Sequence, residues 1–159
     1  QRMTISQYPG LDNGENATYS ETFFFGYRWY DKHNVQPKFP FGHGLSYSKF
    51  LYDASTFSIK GRTVEIDVKN VGSVPGGEVV QLYVGFPSSS GEPVRQLKGF
   101  EKYLLEAGET VTASFTLTDR DLSIWDVASH KWALQKGEFT IEVGTSSRAI
   151  RATGLLEQK

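Results

Sequence analysis

The residues best suited to metal or proton chemistry are His33, His43 and His130. No two of them stand four apart, the spacing that lets one helix face hold zinc, so each reads as a loop or surface histidine. Gly42-His43-Gly44 begins like a phosphate-cradling loop, yet Tyr47 replaces its third glycine and no helical pattern follows. Gly44-Leu45-Ser46-Tyr47-Ser48 lacks the closing glycine of a nucleophile turn and its strand-to-helix setting. Asp119, Asp121 and Ser123 alternate as the first oxygen ligands of a calcium loop do. Ile124 then stands where that loop needs glycine, and His130 where it needs a bidentate glutamate. These acids are instead expected to cap nearby backbone N–H groups in an exposed loop. Glu21, Asp31, Glu101 and Asp126 would serve glycosidic acid–base chemistry only if folding brought two within about 5–10 Å. Nothing in their spacing pairs them, so no catalytic residue, metal or cofactor is assigned.

Aromatic side chains offer a second kind of chemistry, stacking on flat sugar rings or on a protein partner. Trp125 and Trp132 flank one loop. Sugar contact is one reading of the pair; the other places both between two sheets, where a sandwich needs large side chains. Phe23-Phe24-Phe25-Gly26-Tyr27-Arg28-Trp29-Tyr30 reads as one strand with rings on both faces, more than a single sheet face buries. That makes Phe23, Phe25, Tyr27, Arg28, Trp29, Tyr30 and Asp31 a candidate docking surface for another domain, or for a second copy of the chain. Arg28 and Asp31 are candidates for an ion pair within or across that contact. Asn16-Ala17-Thr18 is an acceptor sequon for N-glycosylation in a turn-rich stretch.

The elements that position these residues are strands. Thr63 to Lys69 alternates strictly, with Val64, Ile66 and Val68 on one face and charged residues on the other. Thr110 to Thr118 and Glu138 to Thr145 repeat the pattern, while Val79 to Val84 is the more continuous apolar run of a central strand. Weaker strands are expected near 50–60, 95–105 and 148–155. Turn residues separate them: Lys60-Gly61-Arg62, Asn70 through Gly77, Pro87 through Gly91, Glu106 through Glu109 and Lys136-Gly137. About seven short strands at this spacing predict an all-β, two-sheet antiparallel sandwich of immunoglobulin or fibronectin III type. Residues 47–159 would form it, behind an irregular N-terminal extension, 1–46.

Composition narrows the partners. With 17 Lys and Arg against 18 Asp and Glu, the net charge of −1 provides no field for nucleic acid or anionic lipid. No run of about 18 apolar residues predicts a membrane span. The absence of cysteine excludes a disulfide scaffold. A chain of 159 residues suits one domain plus an attachment. Because it starts at Gln1 with no signal segment, it is expected to be a piece of a longer chain.

Several blocks together resemble one family. Tyr19-Ser20-Glu21 through Phe25-Gly26-Tyr27-Arg28-Trp29-Tyr30-Asp31 is similar to a Y-x-E…G-Y-R-x-Y-D stretch of glycoside hydrolase family 3 β-glucosidases, and Phe39 to Tyr47 to their PFGxGLSY signature. Gly77 to Val84, Gln96 to Lys102, Arg120 to Asp126 and Val143 to Ser147 match further blocks in the same order. Thr22 departs from a usual glycine and Ser48 from a usual threonine. The resemblance implies a C-terminal fibronectin III-like domain, the connector before it and the end of the preceding α/β domain. The blocks around that family's nucleophile and acid/base have no counterpart, so no catalytic residue carries over. What it implies is a non-catalytic module that docks to the catalytic domains of a secreted or periplasmic β-glucosidase. A module holding oligo- or polysaccharide near the active site is the alternative.

Overall fold

The computed structural model describes residues 22–159. Among these residues are one short α-helix, α1 (Tyr27–Lys32), one 3-10 turn (Ser88–Ser90) and nine strands: β1 (Phe50–Lys60), β2 (Thr63–Asn70), β3 (Gly76–Gly85), β4 (Gln96–Leu105), β5 (Thr110–Thr116), β6 (Ser123–Asp126), β7 (Lys131–Leu134), β8 (Gly137–Gly144) and β9 (Ile150–Gln158). Two sheets stack as a sandwich, one ordered β1-β2-β5 and the other β4-β3-β8-β9; β6 and β7 pair only with each other. Every pairing is antiparallel.

Alternation decides what fills the space between the sheets. Val64, Ile66 and Val68 of β2 meet Val80, Leu82 and Val84 of β3 and Phe139, Ile141 and Val143 of β8 in one buried cluster. The opposite face of β2 and β5 carries Thr63, Glu65, Asp67, Lys69, Thr110, Thr112, Ser114 and Thr116, a polar surface turned to water. Asn70 closes the end of β2 with no exposed surface. Its amide donates to the carbonyls of Val74 (2.9 Å) and Leu105 (3.0 Å) and its oxygen accepts from Ser48 Oγ and Gly72 N–H, so the loop to β3 folds around one satisfied side chain.

The seven predicted strands become nine because β6 and β7 form a hairpin outside both sheets. The predicted strand 23–30 is a correction: Gly26, at φ 58°, turns the chain, and its carbonyl accepts from the N–H groups of Trp29 (3.2 Å) and Tyr30 (3.4 Å) to start α1. A positive φ of this kind is open to glycine and costly for the residues around it, so the aromatic run breaks there.

A candidate docking face

On β3 the side chains between the core positions are Gln81 and Tyr83, which face away from the sandwich interior, yet they are 4% and 0% exposed. The segment 27–46 covers them. Tyr27 stands edge-on to Tyr83 with centroids 6.2 Å apart, stacks on Phe41 at 4.6 Å, and accepts the Leu97 N–H with its hydroxyl oxygen at 2.9 Å. Gln81 donates its amide to the carbonyls of Gly42 (3.2 Å) and Thr145 (2.7 Å), while Tyr83 donates its hydroxyl to Gln81 Oε1 (2.6 Å). Ser147 N–H reaches the Phe41 carbonyl at 2.9 Å. A continuous polar seam thus ties the segment to the outer face of the four-stranded sheet.

Charge reinforces the seam. Asp31 Oδ1 lies 2.8 Å from Arg148 Nε, and Arg148 also donates to the Val35 carbonyl at 3.2 Å. Arg95 Nε stands 3.1 Å from Glu142 Oε2, close enough for an ion pair though the N–H is not aligned as a hydrogen bond, and Arg95 donates to the Ser147 carbonyl. Burial raises the Glu142 carboxyl pKa, offset by Arg95 and reinforced by Asp31. Burial likewise raises the Tyr83 phenol, which stays protonated and donates. Asp31 keeps a second buried oxygen, Oδ2, without a hydrogen-bond partner among the described residues.

Of the candidate docking residues, Tyr27 and Asp31 are therefore spent on holding the segment down. Within the chain Asp31 pairs with Arg148 rather than with Arg28, whose guanidinium lies over Phe25 (5.2 Å) and Tyr27 (5.7 Å) and donates to the Phe23 carbonyl at 3.5 Å. Trp29, half-buried, stacks on His33 at 4.2 Å and meets Tyr30 edge-on at 5.5 Å. Phe23 and Phe25 stay exposed, as do Phe39, Phe41, Leu45 and Tyr47. A cleft of about 400 Å³ opens between α1 and Phe39, lined by Tyr27, Tyr30, Pro37 and Phe41. Sequence reasoning missed Gln81, Arg95 and Arg148. A polar residue inside the run Val79–Val84 was the available signal, since a strand covered on both faces must satisfy its polar side chains internally.

Trp125 and Trp132 are directly opposite each other on the β6–β7 hairpin, with ring centroids 5.5 Å apart. They are 46% and 44% exposed, so the inter-sheet placement is corrected: Phe139, Leu122 and Leu82 fill large buried positions of the core instead. The Arg120 guanidinium lies 3.1 Å from the Trp132 ring centre. Asp121 Oδ2 accepts the Thr118 N–H (2.8 Å) and hydroxyl (2.6 Å), the capping role expected of that loop, and Asp119 pairs with Arg62. Among the described residues no group of three His, Cys, Asp or Glu is placed to hold a metal, and no helix is long and apolar enough to cross a membrane. Asn16 lies outside the described residues.

The family described as "Fibronectin type III-like domain" matches residues 78–147, which run from β3 through β8 into the Ser146–Ser147 turn. The chain is 38% identical to "Probable beta-glucosidase D" of Aspergillus flavus, over 91% of this chain and 22% of that protein. It superposes on the crystal structure of a β-D-glucoside glucohydrolase from Trichoderma reesei with a TM-score of 0.83, at 37% identity, over 98% of this chain and 25% of that one. For DesR, a β-glucosidase from Streptomyces venezuelae solved with D-glucose, the TM-score is 0.87 at 37% identity, over 98% and 20%. The chain thus spans about a fifth of the length of the curated relatives it matches. The matched strands and the fold agree: residues 78–147 form a fibronectin type III-like domain, and the chain as a whole is similar to a segment of β-glucosidases, among them a family 3 glycoside hydrolase from Bifidobacterium adolescentis.

Proposed function

We propose that this chain is a non-catalytic C-terminal module of a secreted or periplasmic β-glucosidase-type glycoside hydrolase, which docks to the catalytic domains and stabilises them. Residues 1–46 act as connector and docking segment, and 47–159 as the sandwich that holds it. The supporting observation is the division of labour within the segment. Tyr27, Asp31 and the Gly42 carbonyl fasten it to the sheet, while Phe23, Phe25, Phe39 and Phe41 are left facing outward on a backbone that is held in place. Apolar surface pinned in this way is pre-organised for a partner, because little ordering entropy is left to lose on contact. The polar outer face of β2 and β5 suits the side turned to water.

Two measurements test this. The purified chain should hydrolyse an aryl β-glucoside no faster than its denatured control; clear turnover overturns the non-catalytic reading. Phe25→Ser with Phe41→Ser in the full-length enzyme should lower its thermal midpoint while leaving this chain's own sandwich folded, and an unchanged midpoint overturns docking. Sedimentation of the chain alone separates this partner from a second copy docking through the same rings.

A second reading, carbohydrate binding near the parent's active site, is favoured by the half-exposed Trp125–Trp132 pair. Calorimetric titration with cello-oligosaccharides and retention on insoluble glucan decide it. Absence of both at millimolar ligand removes it.

A further inference from the structure

The segment before β1 covers only part of the outer face of the four-stranded sheet. In the β3–β4 register Gln81 stands opposite Phe100, Val79 opposite Lys102 and Gly77 opposite Leu104, and directly opposed residues share a face. Phe100, Lys102 and Leu104 therefore point outward with Gln81. The alternate positions turn inward: a side chain on Gly99 would meet Phe115, and Tyr103 and Leu105 pack in the core. Gln81 is buried beneath the segment, but Phe100 and Leu104 are 68% and 75% exposed. Leu45, almost fully exposed, is brought to the same place, since it lines a cleft of about 310 Å³ with Gly77, Val79 and Lys102.

Four apolar side chains thus lie around one lysine. The outer face of β2 and β5, by contrast, carries Thr, Ser and charged residues, as a face turned to water does. Contiguous exposed apolar side chains mark a contact surface instead. Lys102 supplies its polar part. The stem leans across Gly77, where a Cβ would lie 3.1 Å from Cε, and the ammonium has no ion pair among the described residues. A purely apolar cover would bury that charge unpaired, so whatever covers this face must bring an acceptor.

Chemistry narrows the occupant. Only Phe100 among the four offers a flat face to a sugar ring, which disfavours a glycan. A second copy adding a strand to β4 would meet the bulge at Lys98, where the register passes from Leu82 opposite Gly99 to Tyr83 opposite Leu97, and the charge of Lys102. Bulges and lysines are the devices that blunt a sheet edge against such pairing. A second copy packed face to face about a twofold axis through the patch would set Lys102 against its own counterpart. A folded part of the parent polypeptide meets neither obstacle, the curated relatives have most of their length outside the matched segment, and this face adjoins the segment that docks.

We propose that the outer face of β4, centred on Lys102 between Phe100 and Leu104, is a second contact with the catalytic domains of the parent, whose matching surface is apolar with one carboxylate over Lys102. The proposal rests on the reading that the chain docks to those domains. It extends the contact from the segment to the sheet itself and names the partner's chemistry there.

Hydroxyl-radical footprinting read by mass spectrometry tests it on the full-length enzyme and on this chain alone. The core of a protein contact is packed like a protein interior, so Phe100 and Leu104 should oxidise about fivefold or more slowly in the full-length enzyme. Carbodiimide coupling there should join Lys102 to an Asp or Glu outside residues 1–159 of this chain, and Phe100→Ser with Leu104→Ser should weaken that link. Equal oxidation rates in the two samples overturn the proposal. So does the absence of any cross-link, or one from Lys102 to Asp12, Glu15 or Glu21. Phe25 in the same spectra keeps the two readings apart: its protection with Phe100 and Leu104 unprotected leaves docking standing and removes the β4 contact, and no protection at any of the three removes both. Two further arms use this chain alone. Protection that grows with its concentration assigns the face to a second copy, protection by added cello-oligosaccharide assigns it to a glycan, and either result overturns the proposal.

Discussion

Gln81 and Gly42 hold each other in place. The Gln81 amide donates to the Gly42 carbonyl at 3.2 Å, and the same amide occupies the space where a side chain on Gly42 would begin. Gly42 also has φ 82°, a conformation that L side chains rarely adopt. One position is therefore fixed twice, by backbone conformation and by close approach.

Gly42→Ala is expected to cost about 1–3 kcal/mol, from strain at positive φ and from displacement of Gln81. Urea unfolding measures it. Gly44→Ala is the control, because a Cβ there meets nothing within 4 Å and the residue is not at positive φ; it should stay within about 1 kcal/mol of the parent.

Arg148→Met removes the partner of a carboxylate whose side chain is only 7% exposed. Leaving Asp31 buried and unpaired would cost about 3 kcal/mol, and peeling the segment away is the cheaper escape. Amide exchange over residues 27–41 should accelerate about tenfold or more, equivalent to about 1.4 kcal/mol, while the amides of β2 and β8 keep their protection. Uniform acceleration across both sheets would contradict a detachable segment.

Strand positions were readable because their signal is local. Val64, Ile66 and Val68 alternate with charges within seven residues, and the structure pairs them as that pattern requires. The path of the segment before β1 was not readable, since its partners are distant: Gly42 meets Gln81 39 positions on, and Val35 meets Arg148 113 positions on. Aromatic content suggested a strand at 23–30, but the conformation of Gly26 overrode it. The β6–β7 hairpin escaped notice for a similar reason. Its turn contains no glycine and is closed by Asp126, which accepts the Ala128 N–H and the Ser129 hydroxyl, with His130 at φ 51°. Among the site residues, the exposure of Phe23 and Phe25 followed the reading from the sequence, whereas the inward turn of Tyr27 and Asp31 depends on residues of β3, β4 and the β8–β9 turn.

Glu78 gives the chain a pH dependence of known sign. Burial raises its carboxyl pKa, outweighing the Tyr52 hydroxyl bond at 2.8 Å and the pull of Arg151. A raised folded-state value means that the native chain retains this proton after the unfolded chain has lost it. The resulting stability is fully present below the unfolded value of about 4.3 and is lost as pH rises through the folded one. Glu78→Gln keeps an acceptor for Tyr52 without the buried charge. Its urea midpoint should gain on that of the wild type as pH is raised from 4 to 7; a constant difference would show that the group titrates alike in both states.

Trp132→Ala discriminates surface from core. On an exposed hairpin the loss of the Arg120 and Trp125 contacts should cost about 1 kcal/mol. Truncating a buried tryptophan costs about 3–5 kcal/mol, so a urea midpoint shift of that size would contradict the exposed placement.

The seam also dictates an order of events during translation. Gln81, Thr145, Ser147 and Arg148 must all leave the ribosome before the segment ahead of β1 has anything to fasten to, the last of them 113 residues after Val35. For that interval the rings of Phe23, Phe25, Tyr27 and Phe41 lack their cover from the sandwich and are available to chaperones. The turn Ser146–Arg148 thus latches a segment synthesised long before it.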